Sequence, residues 1–264
     1  QNRLEKGEIS LTDLAQSESS LAGAKAQLIA AQNDLVVSKA NFEKIIGKKP
    51  SKNIKKIKNI NLILPESLAV ANHVAGLTDM VGLISVIGEI NDSPNFIKDN
   101  LNSKINFHSL IQSGSPTIHK KRYIDNHTGS KVFELYTMDD GSISMEIENK
   151  LFSLTESIIE NYDLVIVADY GHGMISPNLI KLLVSKAKFL AVNTQANAGN
   201  RGYNTISKYP RADYVCLNGG EVELEARNRG SNLQNLVLEM MNKVDCPNIT
   251  VTLGRSGTLH YSRD

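Results

Sequence analysis

Cysteine is nearly absent: only Cys216 and Cys246 occur, and neither lies in a C-x-x-C or a Cys/His cluster. That excludes a disulfide framework and a structural zinc site, and leaves both thiols to be read as buried apolar side chains. An excess of one charge is also lacking, with Lys+Arg 29 against Asp+Glu 28 and a net charge of +1. A dedicated nucleic-acid binder would carry a one-signed basic surface, so that class is set aside. No apolar run of about 18 residues exists, so no membrane span is expected. No charged-then-apolar leader follows Gln1, so no signal peptide is expected either. The six histidines form no i, i+4 pair, which removes a histidine metal site. No G-x-S-x-G elbow or Walker-type P-loop is found, which removes the commonest hydrolase and nucleotide-hydrolase readings. What is present is ordinary for a soluble globular protein: 264 residues, 41% hydrophobic and 22% charged, enough for one large or two ordinary domains.

The two ends differ in rhythm. Leu14, Leu21, Leu28, Leu35 and Phe42 recur at steps of seven, with Ser17, Ala24, Ala31, Ser38 and Ile45 three positions further on. Large residues alternating with small ones along a heptad seam predict a helix over 11–46 that packs closely on a partner helix. Ser10 with Asp13 suits its start, and Gly47 with Pro50 suits its end. Six lysines then fall between Lys48 and Lys58, interleaved with isoleucines. Without an accompanying aromatic residue they read as a solvated linker rather than as a lipid or nucleic-acid patch.

From about residue 72 the pattern becomes strand, helix, strand. Apolar, β-branched runs at Val81–Ile87, Leu164–Ala168, Phe189–Val192, Tyr214–Leu217 and Ile249–Leu253 lack strict alternation. Such runs suit parallel strands buried on both faces. Helical stretches near Pro177–Ala187, Gly220–Arg227 and Leu233–Val244 separate them, so the expected fold is α/β with a doubly wound, mainly parallel sheet. Thr117–Asp125 and Lys131–Met138 alternate around Asn126-His127-Thr128-Gly129, which predicts a β-hairpin beside the sheet, able to cover a pocket.

Three clusters follow strand ends, where ligands bind in open α/β sheets. Asp169-Tyr170-Gly171-His172-Gly173 offers a carboxylate for a hydroxyl or a metal, or simply a turn or a cap. Asn218-Gly219-Gly220-Glu221 opens a helix, and Glu221 either caps it or holds magnesium through water. Thr252-Leu253-Gly254-Arg255-Ser256-Gly257 suits close backbone approach to phosphate, or a hairpin turn into Thr258–Tyr261.

In their order, these clusters resemble the PfkB-type (ribokinase-like) carbohydrate kinases over about residues 72–264. The resemblance implies ATP and Mg²⁺ as cofactors and a sugar or sugar phosphate as substrate. Asn218 and Glu221 match the family's N-x-x-E and would organise magnesium and phosphate. Thr252, Gly254 and Gly257 match its T-x-G-x-x-G and, with Asn218, would contact nucleotide. Asp169 and Gly171, with Lys120 and Arg122 of the hairpin, look most like the heptose-phosphate branch and would approach the sugar. The hairpin would be the lid, about residues 105–140, and a homo-oligomer through the lid or the first helix is a further expectation. In family members an aspartate of a G-A-G-D motif acts as base. That motif is expected beyond Asp264, so none of these residues is assigned as catalytic and the chain as it stands is expected to be inactive or impaired. The family's first strand is expected before Asn72, where Glu66–Ala71 stands instead, and Asn193-Thr194-Gln195 replaces an aspartate and lysine common in relatives.

Residues 1–71 resemble the periplasmic helical segment of TolC-type outer-membrane efflux proteins, on Gly7, Asp13, the Ala-rich heptads, Phe42, Gly47, Pro50 and Leu64-Pro65-Glu66-Ser67-Leu68. The expected organisation is a helical segment over 1–50, a basic linker and junction over 51–71, and an incomplete kinase domain over 72–264, as in a composite of two genes joined near Ala69–Asn72. The kinase part would be cytoplasmic. Two other readings stand beside it: an efflux-channel fragment with a passive α/β appendage, and a nucleotide- or sugar-binding module without turnover.

Overall fold

The computed structural model describes residues 25, 28, 29, 32, 33, 36, 59–63, 68–90, 94–125, 131–139, 141–197, 199, 200 and 202–263. The chain divides into two units, Gln1–Lys55 and Lys56–Asp264. In the first, Lys25, Leu28, Ile29, Gln32, Asn33 and Val36 are helical and exposed. The rest of the helix expected over 11–46, and the lysine-rich stretch up to residue 58, lie outside the described residues. Nothing found supports the likeness to efflux proteins.

The second unit is built on an eight-stranded sheet in the order β10-β9-β8-β7-β6-β1-β2-β3. Its strands are β1 (Asn59–Ile63), β2 (Met80–Ile90), β3 (Ile105–Pro116), β6 (Leu164–Asp169), β7 (Leu190–Thr194), β8 (Tyr214–Asn218), β9 (Asn248–Thr252) and β10 (Thr258–Ser262). All neighbours are parallel except β9 and β10, which form an antiparallel pair. The expected α/β fold with a mainly parallel sheet is therefore present.

Two sequence readings are corrected by this topology. Residues 59–63 are not linker: Ile60 pairs with Val81 on one side and Leu164 on the other, so β1 occupies the middle of the sheet. A strand with a neighbour on each side satisfies its N–H and C=O groups through two ladders, a source of stability that composition does not display. The sheet unit accordingly starts at Lys56 rather than near residue 72, and a strand does precede Asn72. The second concerns the stretch from residue 105, expected as part of a hairpin lid. Residues 105–116 form β3, paired along β2 from Val81↔Ile105 to Ile90↔Pro116. The hairpin itself is β4 (His119–Ile124) with β5 (Lys131–Thr137), a separate two-stranded sheet.

Among the described residues the unit has six α-helices: α1 (Leu68–Ala75), α2 (Pro94–Asp99), α3 (Met145–Ile158), α4 (Pro177–Lys186), α5 (Gly219–Ala226) and α6 (Leu233–Lys243). Their starts are chemically marked. Ser144 accepts from Ile147 N ahead of α3, and Ser176, followed by Pro177, accepts from Leu179 N ahead of α4; such caps satisfy donors that the first helical turn leaves open. In α6, Leu236, Val237, Met240 and Met241 are buried, a stripe whose burial stabilises by about 1.5–3 kcal/mol per side chain.

The core has two parts divided by the sheet. Val165 and Val167 of β6 face the larger one with residues of α3, α4, α5 and α6, while Ala168 joins Ala71 and Ala75 of α1 in the smaller. In β7, β8 and β9 burial alternates along the strand, so Ala191, Cys216 and Thr250 are half-buried. These strands were expected to be buried on both faces. Among the described residues only one of their faces is fully covered. No described helix is long and apolar enough to cross a membrane.

Candidate functional site

Register brings the strand ends to one rim. Asp169, last in β6, pairs with Thr194, last in β7, and Asn218, last in β8, pairs with Thr252, last in β9. The three sequence clusters therefore leave the same carboxyl edge of the sheet, the side on which an open α/β fold binds ligands.

Asn218 and Glu221 form a reciprocal cap. Asn218 Oδ1 accepts from Glu221 N at 2.9 Å, and Glu221 Oε2 accepts from Asn218 N at 2.8 Å. Glu221 Oε1 accepts from Ala196 N at 3.1 Å, which ties the start of α5 to the loop after β7. Glu221 is 8% exposed, and burial raises its carboxyl pKa above the usual value, partly offset by the N–H groups of Asn218 and Ala196. Glu221 thus caps α5, one of its two sequence readings, and it also lines a cleft of about 780 Å³ with Ala196, Asn197, Asn218, Gly220 and Arg227.

Thr252, Gly254 and Gly257 form the turn between β9 and β10. Gly254 and Gly257 have φ of 58° and 89°, and a Cβ on either would meet nothing within 4 Å. Thr252 Oγ1 donates to Leu217 O at 3.4 Å and Leu253 N to Gly257 O at 2.8 Å. The hairpin-turn reading describes this geometry. The three residues share the rim with Asn218 without lining the Glu221 cleft.

Asp169 points inward. It is 2% exposed; Oδ1 accepts from Gly171 N at 3.0 Å, and Oδ2 accepts from Tyr209 Oη at 2.6 Å and faces Lys208 Nζ at 2.5 Å. Burial first, and the Asp169 carboxylate second, push the Tyr209 phenol well above its usual pKa, so it remains a neutral donor. The turn reading of Asp169 matches this arrangement. Gly171, at φ 71°, needs to be glycine: a Cβ would overlap Asn200 Nδ2 and crowd Asn204.

A second cleft, about 710 Å³, lies beside Gly171 and is lined also by Tyr136, Ser142, His172, Asn197 and Asn200. The hairpin contributes Tyr136 to it, and Lys120 Nζ of the hairpin is 5.0 Å from the centroids of both the Tyr136 and Tyr170 rings, within cation–π range. Tyr170 in turn stacks on His172 at 6.5 Å. Arg122 sits opposite Glu134 in the hairpin, and its side chain is outside the described residues. Sequence reasoning missed Tyr136, Asn197 and Asn200. The only signal for the two asparagines was their spacing with Gly199 and Gly202 after a strand.

No family model matches the sequence. The chain is similar to the bifunctional protein HldE of Campylobacter jejuni subsp. doylei, 28% identical over 199 residues, or 73% of this chain and 41% of that one. The bifunctional protein HldE of Aliarcobacter butzleri is 27% identical over 207 residues, 76% and 42% of the two chains. The match thus spans about two fifths of those relatives. Among solved structures, phosphofructokinase-2 from Escherichia coli aligns with a TM-score of 0.59 at 12% identity, covering 79% of this chain and 76% of that one. Ribokinase from Giardia lamblia aligns with 0.57 at 12%, covering 78% and 73%. The resemblance to ribokinase-like sugar kinases and to HldE proteins extends over most of the chain.

Proposed function

We propose that residues 56–264 form the nucleotide- and sugar-binding body of an ATP-dependent carbohydrate kinase whose substrate is a sugar phosphate of the heptose class. The observation that carries this reading is the meeting of Asp169–Gly173, Asn218–Glu221 and Thr252–Gly257 at one carboxyl rim, with Lys120 of the hairpin above the first of them. Similarity to the HldE proteins and to sugar-kinase structures supports it.

In this proposal the 780 Å³ cleft beside Glu221 takes the polyphosphate of ATP, and Thr252, Gly254 and Gly257 border the rest of the nucleotide. The 710 Å³ cleft takes the sugar, with Lys120 of the hairpin, beside Tyr136 and Tyr170, supplying positive charge toward its phosphate. Asp169 acts behind that cleft, fixing the turn that carries Gly171 and Gly173.

Glu221 suits a magnesium held through water. Each carboxylate oxygen can accept more than one hydrogen bond, so its bonds to Asn218 N and Ala196 N leave room for a metal-bound water. No cluster of three or more His, Cys, Asp or Glu among the described residues could hold a metal, so phosphate oxygens and water would complete the coordination. Bound there, magnesium supplies neutralisation of phosphate charge. The protein's own residues position the two ligands, which accounts for most of the work in phosphoryl transfer.

A calorimetric titration of the chain with ATP, with magnesium and then with chelator, tests this reading. Magnesium-dependent binding is expected, and Glu221→Gln, which keeps the shape, is expected to weaken it about tenfold. Equal affinity of the variant would remove Glu221 from the site, and no binding by the wild type would remove the kinase reading.

A further inference from the structure

A third cavity, about 60 Å³, adjoins the 710 Å³ cleft and shares Gly141, Ser142 and His172 with it. Where the larger cleft is polar, this one has an apolar wall of Val86, Ile87, Pro116, Ile118, Ile143 and Met174. Ile87 and Met174 are buried. The polar groups at its border are turned toward one another. Ser115 Oγ donates to Asp139 Oδ2 at 2.9 Å, and Asp139 Oδ1 accepts from Gly141 N at 3.1 Å. Gln112 Oε1 accepts from Ser144 N at 3.1 Å. Thr117 Oγ1 accepts from Gly88 N at 2.9 Å and donates to Gly88 O at 3.3 Å. A Cβ at Gly88 would overlap the backbone of Ser115, Pro116 and Thr117, so a bare glycine lets the end of β3 close over β2 at this point.

We propose that this cavity is a specificity subsite of the sugar cleft, and that it receives a methyl-sized apolar substituent which the sugar phosphate carries in place of a free hydroxyl. The inference rests on the kinase reading above and narrows its substrate class. A single water needs ~10–15 Å³, so a cavity of about 60 Å³ takes a group of a few non-hydrogen atoms and not a sugar ring. A hydroxyl entering it would give up its bonds to water and meet polar groups already engaged with one another, a loss that a buried polar group does not recover. A methyl group gives up no hydrogen bond there and gains burial against the apolar wall. The sugar's other hydroxyls are served by the 710 Å³ cleft, which presents Tyr136, Ser142, Asn197 and Asn200.

The test is a calorimetric titration of the full chain with sedoheptulose 7-phosphate and with a set of its methyl ethers, each methylated at a different single hydroxyl. One ether is expected to bind about tenfold or more tighter than the parent, the discrimination that one carbon earns in an apolar pocket, and the others to bind more weakly than the parent. Ile118→Phe fills the cavity, so the ratio between the favoured ether and the parent is expected to fall to about one or below. Val86→Thr keeps the shape of the wall but sets a hydroxyl in it, and is expected to reduce the ratio to less than about threefold. General damage to the fold would lower both affinities and leave their ratio in place. Should circular dichroism show Ile118→Phe to be unfolded, Val86→Thr decides the question. Loss of the preference in either folded variant supports the subsite. Wild-type binding of the parent with no ether preferred overturns this inference alone, as does a preference that survives in every folded variant. Failure of the wild type to bind the parent or any ether overturns the kinase reading and this inference with it.

Discussion

Removing one oxygen from Tyr209 isolates the energetics of the buried Asp169 carboxylate. The Tyr209 ring is fully buried and its hydroxyl donates to Asp169 Oδ2 at 2.6 Å. Tyr209→Phe keeps the ring, so no cavity of consequence opens, and the loss is that of one hydrogen bond to a charged acceptor, about 1.5–3 kcal/mol. Asp169 retains Lys208 at 2.5 Å and Gly171 N at 3.0 Å, so it is not left unpaired. The expected value is therefore at the lower end, about 1.5–2 kcal/mol. For a domain of this size that corresponds to a fall in Tm of about 3–8 °C. Urea unfolding followed by circular dichroism measures it, and the slope of free energy against urea should not change. A loss below about 0.5 kcal/mol would refute the argument, because it would mean that this hydroxyl contributes no more than an ordinary surface group.

Gly171→Ala combines left-handed strain with overlap on Asn200 and Asn204, whereas Gly202→Ala, at φ 84° with no atom within 4 Å of a Cβ, brings strain alone. Expected losses in unfolding free energy are about 2–4 kcal/mol for the first and about 1 kcal/mol for the second; equal losses would discount the close approach of the 195–204 loop. Burial raises the pKa of Glu221 from its ordinary 4.5, so the folded state binds this proton more tightly than the unfolded state. The stability from that proton is present below the unfolded pKa and is lost as pH rises through the folded one. Unfolding free energies of the wild type relative to Glu221→Gln should fall across that window, and a rise would reverse the assigned shift.

How far the sequence speaks for the structure varies from strand to strand. β2, β6, β7, β8 and β9 were visible as apolar runs because each lies inside the sheet, flanked by strands on both sides. β3 is an edge strand, and its Asn106, His108, Ser109, Gln112 and Ser113 break up the apolar signal that periodicity needs. β1 is short and follows a run of lysines whose charge dominates any local window. At the site, the order of the three clusters was legible because it depends on which strand each follows. The inward orientation of Asp169 was not, because it is set by Lys208 and Tyr209 some forty positions later. The same holds for Asn197 and Asn200, whose partner is a backbone carbonyl, an atom every residue possesses.

The location of β1 also constrains how the molecule can be made. Its neighbours are β2, next along the chain, and β6, where Ile60 meets Leu164. During synthesis one flank of β1 can zip up early, but the other waits until the hairpin and α3 have been produced. Until then a central strand presents an open edge, the state in which nascent sheets are most prone to mispairing. Closing so long a loop is entropically costly and slow. Translation speed between those two segments is thus a lever on yield, independent of any effect on the finished fold.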